Sequence, residues 1–207
     1  MIRNIDMNTW PRKEIYDFFS PISNPFYSVT FTLDVTNLYR YVRERGLSFY
    51  YALVYLCTQA VNQTEAFLYT LEDGKVRMYD KRQPSFTDLN KGSELFRMVF
   101  VPCGGSIDDF CHAAKKKSEN QHFLFDPAAE TDDLIYFSCL PWMDVTGLTN
   151  ERNLDPDDAI PRIAWGKYID VNGRKQLHIS LEINHRFIDG VHLGRFNEEL
   201  CRLIEEL

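Results

Sequence analysis

Near its end the chain alternates apolar and polar residues with a period of two, so that Leu177, Ile179, Leu181 and Ile183 share one face of an extended segment. Continuing the alternation puts His185 at the end of that apolar row. Asn172-Gly173 is a pair favoured in tight turns, and the pattern predicts a long hairpin over residues 163–184. From Val191 onward the rhythm changes: Leu193, Phe196, Leu200, Leu203, Ile204 and Leu207 recur at helical spacing.

Earlier elements follow from the same reading. Asn8-Thr9 before Trp10-Pro11 predicts a helix start, with the helix running to about Phe19. Residues 26–34 alternate as a strand, Thr36 is placed to cap a helix ending near Gly46, and residues 49–63 form a more apolar, central helix. Glu72-Asp73-Gly74 separates strand-like runs at 67–71 and 75–79. Further strands are expected at 85–88, 94–101 and 134–139, and a polar loop at 144–156. A helix over 106–121 carries Lys115-Lys116-Lys117, read as a solvated face. Hairpins mixed with helices, without repeated strand-helix units, predict an α+β sandwich.

Composition narrows the function. At 207 residues the chain supports one domain, 1–207, with a sizeable core. A net charge of −7 argues against a nucleic-acid surface and leaves small ligands as the better fit. The N-terminus lacks the apolar core of a signal peptide, and no apolar run approaches the length of a membrane span, so a cytoplasmic protein is expected. Cys57, Cys103, Cys111, Cys139 and Cys201 show no paired spacing, which points to small core residues and away from disulfides or structural zinc.

The chemistry gathers around His185-Arg186-Phe187-Ile188-Asp189-Gly190. Burial disfavours an imidazolium, and the aspartate just past the turn is placed to fix the ring's proton-bearing nitrogen, which is how a general base is built. The same histidine also reads as a hydrogen-bonded strand end, and the two readings stay open on this segment alone.

The His-x-x-x-Asp-Gly spacing resembles the signature of coenzyme A-dependent acyltransferases. The likeness extends through Trp10-Pro11-Arg12-Lys13-Glu14, Ala60-Val61-Asn62-Gln63, Ser138-Cys139-Leu140-Pro141-Trp142, Gly166-Lys167-Tyr168 and Val191-His192-Leu193-Gly194-Arg195-Phe196. These blocks are similar, in order and interval, to the chloramphenicol acetyltransferases. The resemblance implies a two-layer α+β sandwich with a mixed sheet covered by helices. It implies transfer of an acetyl group from acetyl-CoA to chloramphenicol or a similar small apolar alcohol, and hence antibiotic resistance. His185 would be the base and Ser138 the oxyanion donor, with Asp189 and Arg12 propping the histidine loop. Trp142, Lys167 and Tyr168 would line the coenzyme A channel; Phe18, Phe19, Phe96 and Leu148 would wall the acceptor. No metal is implied. The sites would lie between subunits of a homotrimer, one chain's histidine facing its neighbour's serine.

Four departures from the family pattern bear on acceptor fit and on oxyanion support: Asn184 stands where the family has a first histidine, Ala164 where many members have a water-organising threonine, and Leu148 and Asn150 where bulkier apolar residues are usual. They leave two further readings, a different acyl acceptor or a ligand-binding protein without turnover. A metal site from His185, Asp189 and His192 is a fourth. Cys139 invites a reading as a thiol nucleophile, but alternation sets it on the face opposite Ser138.

Overall fold

A computed structural model describes residues 2–89, 92–153, 155 and 157–207. In chain order the elements are β1 (Ile2–Asn4), α1 (Lys13–Phe19), β2 (Phe26–Asp34), α2 (Thr36–Arg45), α3 (Phe49–Gln63), β3 (Tyr69–Glu72), β4 (Lys75–Tyr79), β5 (Gln83–Leu89) and β6 (Phe96–Phe100). They continue with α4 (Ile107–Asn120), β7 (Leu134–Leu140), β8 (Arg162–Gly166), β9 (Ile169–Val171), β10 (Arg174–Asn184) and α5 (Gly190–Glu205).

The main sheet runs β2-β10-β8-β7-β5-β6, with β9 pairing β10, and a smaller sheet runs β1-β4-β3. β7 pairs in parallel with both β5 and β8, while the other neighbours are antiparallel, so the sheet is mixed. Helices cover one face. α3 is central, as its apolar sequence predicts, and packs against α4 and α5 while burying Leu53, Val54, Cys57 and Val61. Among the described residues no helix is long and apolar enough to cross a membrane.

Several boundaries differ from the sequence reading, each for a local reason. Residues 8–12 form turns held by Asp6, whose carboxylate accepts the Asn8 N–H at 3.0 Å and whose carbonyl accepts that of Trp10, so α1 starts later, at Lys13. Thr36 does not cap α2: Asp34 accepts its N–H at 2.9 Å, and the Thr36 hydroxyl accepts instead from Lys175. Phe67 and Leu68 close a 3-10 turn over Glu65–Leu68, leaving only Tyr69 onward for β3. β1 pairs with β4 and had no alternating signal in so short a run. Both tight hairpins have a positive φ at each central residue, Asp73 and Gly74 in one, Asn172 and Gly173 in the other, as turns of this kind require. Of the loop expected at 144–156, Leu154 and Pro156 lie outside the described residues. The lysines of α4 are exposed, and Ser106 caps that helix in a reciprocal pair with Asp109.

The face of β10 that meets the helices carries Leu177, Ile179, Leu181 and Ile183, each at most 1% exposed. Its other face is polar yet also buried: Ser180, Glu182 and Asn184. Asn150, Arg152 and Asp158 cover part of that face, mostly through ions. Arg152 pairs with Glu182 and, at 2.9 Å, with Asp158; Arg162 also reaches Asp158 at 2.9 Å. The Asn150 N–H donates to Glu182 at 3.1 Å.

Candidate active site

β10 ends at Asn184, and His185 begins the turn into α5, its N–H donating to the Pro25 carbonyl at 2.8 Å. Its ring stacks on Phe19 with centroids 4.0 Å apart and lies against Tyr27 at 4.4 Å. The Tyr27 hydroxyl donates to the Ile188 carbonyl at 3.3 Å, and burial with the nearby Asp189 charge pushes it up to about 12.

Arg12 fixes this turn. Its Nε donates to the Arg186 carbonyl at 2.9 Å, one Nη to the His185 carbonyl at 3.0 Å, and the other to Asp189 Oδ2 at 2.7 Å. Asp189 also caps α5 with His192: the Asp189 N–H donates to His192 Nδ1 at 3.1 Å. With Nδ1 accepting, the neutral His192 ring has no proton there for Asp189 Oδ1, 2.9 Å away, and that buried oxygen lacks a donor. The expectation that Asp189 fixes the proton-bearing nitrogen of the His185 ring is thereby corrected. Its Oδ2 is taken up by a guanidinium and its Oδ1 lies against His192, so it acts on the His185 backbone through Arg12 and holds no nitrogen of the His185 ring.

The electrostatics suit a neutral imidazole. Burial drives the His185 pKa below 6.5; the Asp189 charge pulls it up, and Arg12 pushes it down again. Burial raises the Asp189 pKa, but the Arg12 hydrogen bond and charge, with His192 and His185, outweigh it and hold the carboxyl below 3.8.

Ser138 sits elsewhere. Cross-strand partners lie on the same face, and the register Ser180↔Ala164↔Ser138 puts the serine on the sheet's polar face, away from the helices. Its hydroxyl is 3.4 Å from that of Thr87, a neighbour with no sequence signal. Cys139 turns the other way and packs on the core, where burial pushes its thiol up to about 12, so it offers no thiolate near neutral pH. Ser138 opens into a cleft of about 730 Å³ that Thr87, Phe96, Met98, Trp142 and Asn150 help to line. A separate hollow of about 490 Å³ backs Arg12, Asp189 and His192.

Within one chain the two halves do not meet. Asn184 is four residues past Ser180, roughly 13 Å along the strand, and Ser138 is two strands over, roughly 10 Å across. His185 contacts Tyr27, which pairs with Ile183 on the helix-covered face, whereas Ser138 lies on the opposite face. Each half is pre-formed, and each lacks the other.

The remaining residues divide between them. Phe18 is exposed and packs edge-on against Phe19, beside His185; Phe96 and the exposed Trp142 line the Ser138 cleft. Lys167 is exposed, and its N–H donates to the Met143 carbonyl at 2.7 Å, next to Trp142. Tyr168 packs with Tyr39 and Phe49, away from the cleft lining, and Leu148 is half-buried in the loop before Asn150. Asn184 is buried as scaffold, donating to the Asp158 carbonyl at 3.0 Å and accepting from the Arg186 N–H at 3.1 Å. Ala164 is fully buried and brings no hydroxyl.

Comparison with known proteins agrees over nearly the whole chain. The family model described as chloramphenicol acetyltransferase matches residues 1–201. A chloramphenicol acetyltransferase of Staphylococcus aureus is 28% identical over 203 residues, covering 96% of this chain and 94% of its own. Chloramphenicol acetyltransferase 3 of Escherichia coli is 26% identical and covers 95% of each. A solved chloramphenicol acetyltransferase superposes with a TM-score of 0.91 at 27% identity, covering 99% of this chain and 100% of that one. The cubic core of a pyruvate dehydrogenase complex shares the fold, with a TM-score of 0.68 at 17% identity, 91% of this chain and 85% of that chain being covered.

Proposed function

This chain belongs to the chloramphenicol acetyltransferase family, and on that premise we propose that it moves an acetyl group from acetyl-CoA to a hydroxyl of chloramphenicol or a similar small apolar alcohol, conferring resistance to such an antibiotic. His185 Nε2 removes the hydroxyl proton as that oxygen attacks the thioester carbonyl. The tetrahedral oxyanion accepts a hydrogen bond from the Ser138 hydroxyl. Collapse expels the coenzyme A thiolate, which takes from the imidazolium the proton that came from the acceptor hydroxyl. No acyl-enzyme forms. Arg12 and Asp189 set the tilt of the ring by fixing its backbone.

The observation that carries this reading is the His185 ring, stacked on Phe19 at the end of a turn whose carbonyls Arg12 grips. The separation of His185 from Ser138 supports a homotrimer in which the histidine of one chain faces the serine of its neighbour. Phe18 and Phe19 beside the base, with Phe96 and Leu148 on the serine side, wall the acceptor. Trp142, Lys167 and Tyr168 receive coenzyme A, and the enzyme works in the cytoplasm, where acetyl-CoA is made.

Thiol release from acetyl-CoA in the presence of chloramphenicol tests the reaction. The His185→Ala variant should lose about 10²-fold to 10⁴-fold in kcat/KM. Equal rates for variant and wild type would remove His185 from the mechanism.

A further inference from the structure

The five N–H groups of the turn that carries His185, residues 185–189, all have acceptors, and their directions differ. The N–H of His185 donates to the Pro25 carbonyl at 2.8 Å, that of Arg186 to Asn184 Oδ1 at 3.1 Å, and those of Phe187 and Ile188 to the Asn184 carbonyl, each at 3.1 Å. Four of the five therefore tie the turn back to the last residue of β10 or to the residue before β2. The fifth, from Asp189, points forward, to Nδ1 of His192 in the first turn of α5, at 3.1 Å. His192 has no part in the reaction described above, yet its side chain is only 16% exposed and its Nδ1 also lies 2.9 Å from Asp189 Oδ1. The contact bears on where the carboxylate sits. Asp189 Oδ2 accepts from Arg12 at 2.7 Å, and the same guanidinium donates to the His185 and Arg186 carbonyls.

We propose that His192 is a positioning residue for the base: its unprotonated Nδ1 accepts the Asp189 N–H, which holds the Asp189 carboxylate against Arg12 and, through Arg12, the backbone that sets the His185 ring. The inference rests on the acetyl-transfer reading above and adds a residue to it. Without that acceptor the Asp189 N–H loses its partner, and the peptide can turn away from the geometry in which Oδ2 meets the guanidinium. His192 acts on the ring through two other residues and touches neither reactant. Its own electrostatics agree with an accepting Nδ1. Burial drives the His192 pKa below 6.5; the Asp189 charge pulls it up, and Arg12 and Arg195 push it down again, so the ring is neutral near neutral pH.

Two substitutions and one spectrum decide the matter. His192→Leu removes the acceptor, whereas His192→Asn places an amide oxygen at the reach of Nδ1. In thiol-release assays with acetyl-CoA and chloramphenicol, His192→Leu should lower kcat about tenfold while both KM values stay within about twofold, because a displaced base costs rate and not binding. His192→Asn should recover most of that loss. Nitrogen NMR of the wild-type imidazoles near neutral pH should show His192, assigned by its absence from the His192→Asn spectrum, with Nδ1 unprotonated and Nε2 protonated. That readout does not depend on the leucine variant folding. A protonated Nδ1, a His192→Leu enzyme with wild-type kcat or with its loss carried by KM, or a His192→Asn enzyme at or below about a tenth of wild-type kcat overturns the proposal while leaving acetyl transfer intact. No thiol release by the wild-type enzyme would remove the acetyl-transfer reading, and this inference with it.

Discussion

Arg12 makes three hydrogen bonds to one turn, two of them to the carbonyls of His185 and Arg186, so it reads the position of the backbone more than the charge of Asp189. Asp189→Asn retains an oxygen acceptor for the guanidinium but removes its counter-charge. Arg12 is 10% exposed and Asp189 25%, so the loss should be about 1–3 kcal/mol in a urea titration, below that of a fully buried pair. The rate should fall further than the stability implies, about 10²-fold, because small displacements of a base are costly. The linkage sign follows from a carboxyl held below 3.8: its contribution is present above that pH and is lost as pH falls through the folded value. His185 activity is lost in the same direction, as pH falls. Its neutral form is the base, and with a pKa below 6.5 the acid limb of kcat/KM should lie under that pH. A limb above 6.5 would show that burial does not govern the ring.

At the level of elements, the loop that carries Trp142 depends on a close approach. A Cβ on Gly166 would sit 2.6 Å from both the Met143 carbonyl oxygen and the Val145 nitrogen, which are backbone atoms without a rotamer to change. Gly166→Ala should therefore shift the loop, breaking the Lys167 to Met143 hydrogen bond and raising KM for acetyl-CoA more than KM for the alcohol. Equal effects on both would mean that the loop serves the fold alone. Strong patterns made most elements legible in the sequence: β2 and α3 have their expected bounds, and β10 and α5 follow their periodicities. What could not be read depends on distant partners. Arg82 is fully buried and donates to the carbonyls of Phe67, Tyr69, Asp132, Leu134 and Ala159, tying the small sheet to the large one, and its local sequence differs little from that of a surface arginine. The site was legible where a motif holds its parts in one stretch, as from His185 to Asp189. Tyr27 and Thr87 reach it only through sheet register, which a single sequence does not display.

For the whole molecule, the sheet has two buried faces with different partners, an apolar one under the helices and a polar one partly under an ion network. Removing one ion of that network strands the others, so a surface of this kind keeps its shape while it meets another polar surface. His185 and Ser138 sit on opposite faces, and this turns the proposed homotrimer, with its sites shared between chains, into a kinetic prediction. Neither His185→Ala nor Ser138→Ala homotrimers contain an intact site. When the two variants are unfolded together in equal amounts and refolded, a site is intact only if its histidine comes from the Ser138→Ala chain and its serine from the His185→Ala chain. Each choice has even odds under random mixing, so about one quarter of wild-type activity should return. The double variant His185→Ala, Ser138→Ala, mixed with wild type in the same way, keeps about one quarter as well, because both groups of a site must then come from wild-type chains. If each site were built within a single chain, the first mixture would stay inactive and the second would retain about half, so the two mixtures together distinguish the arrangements by amplitude alone.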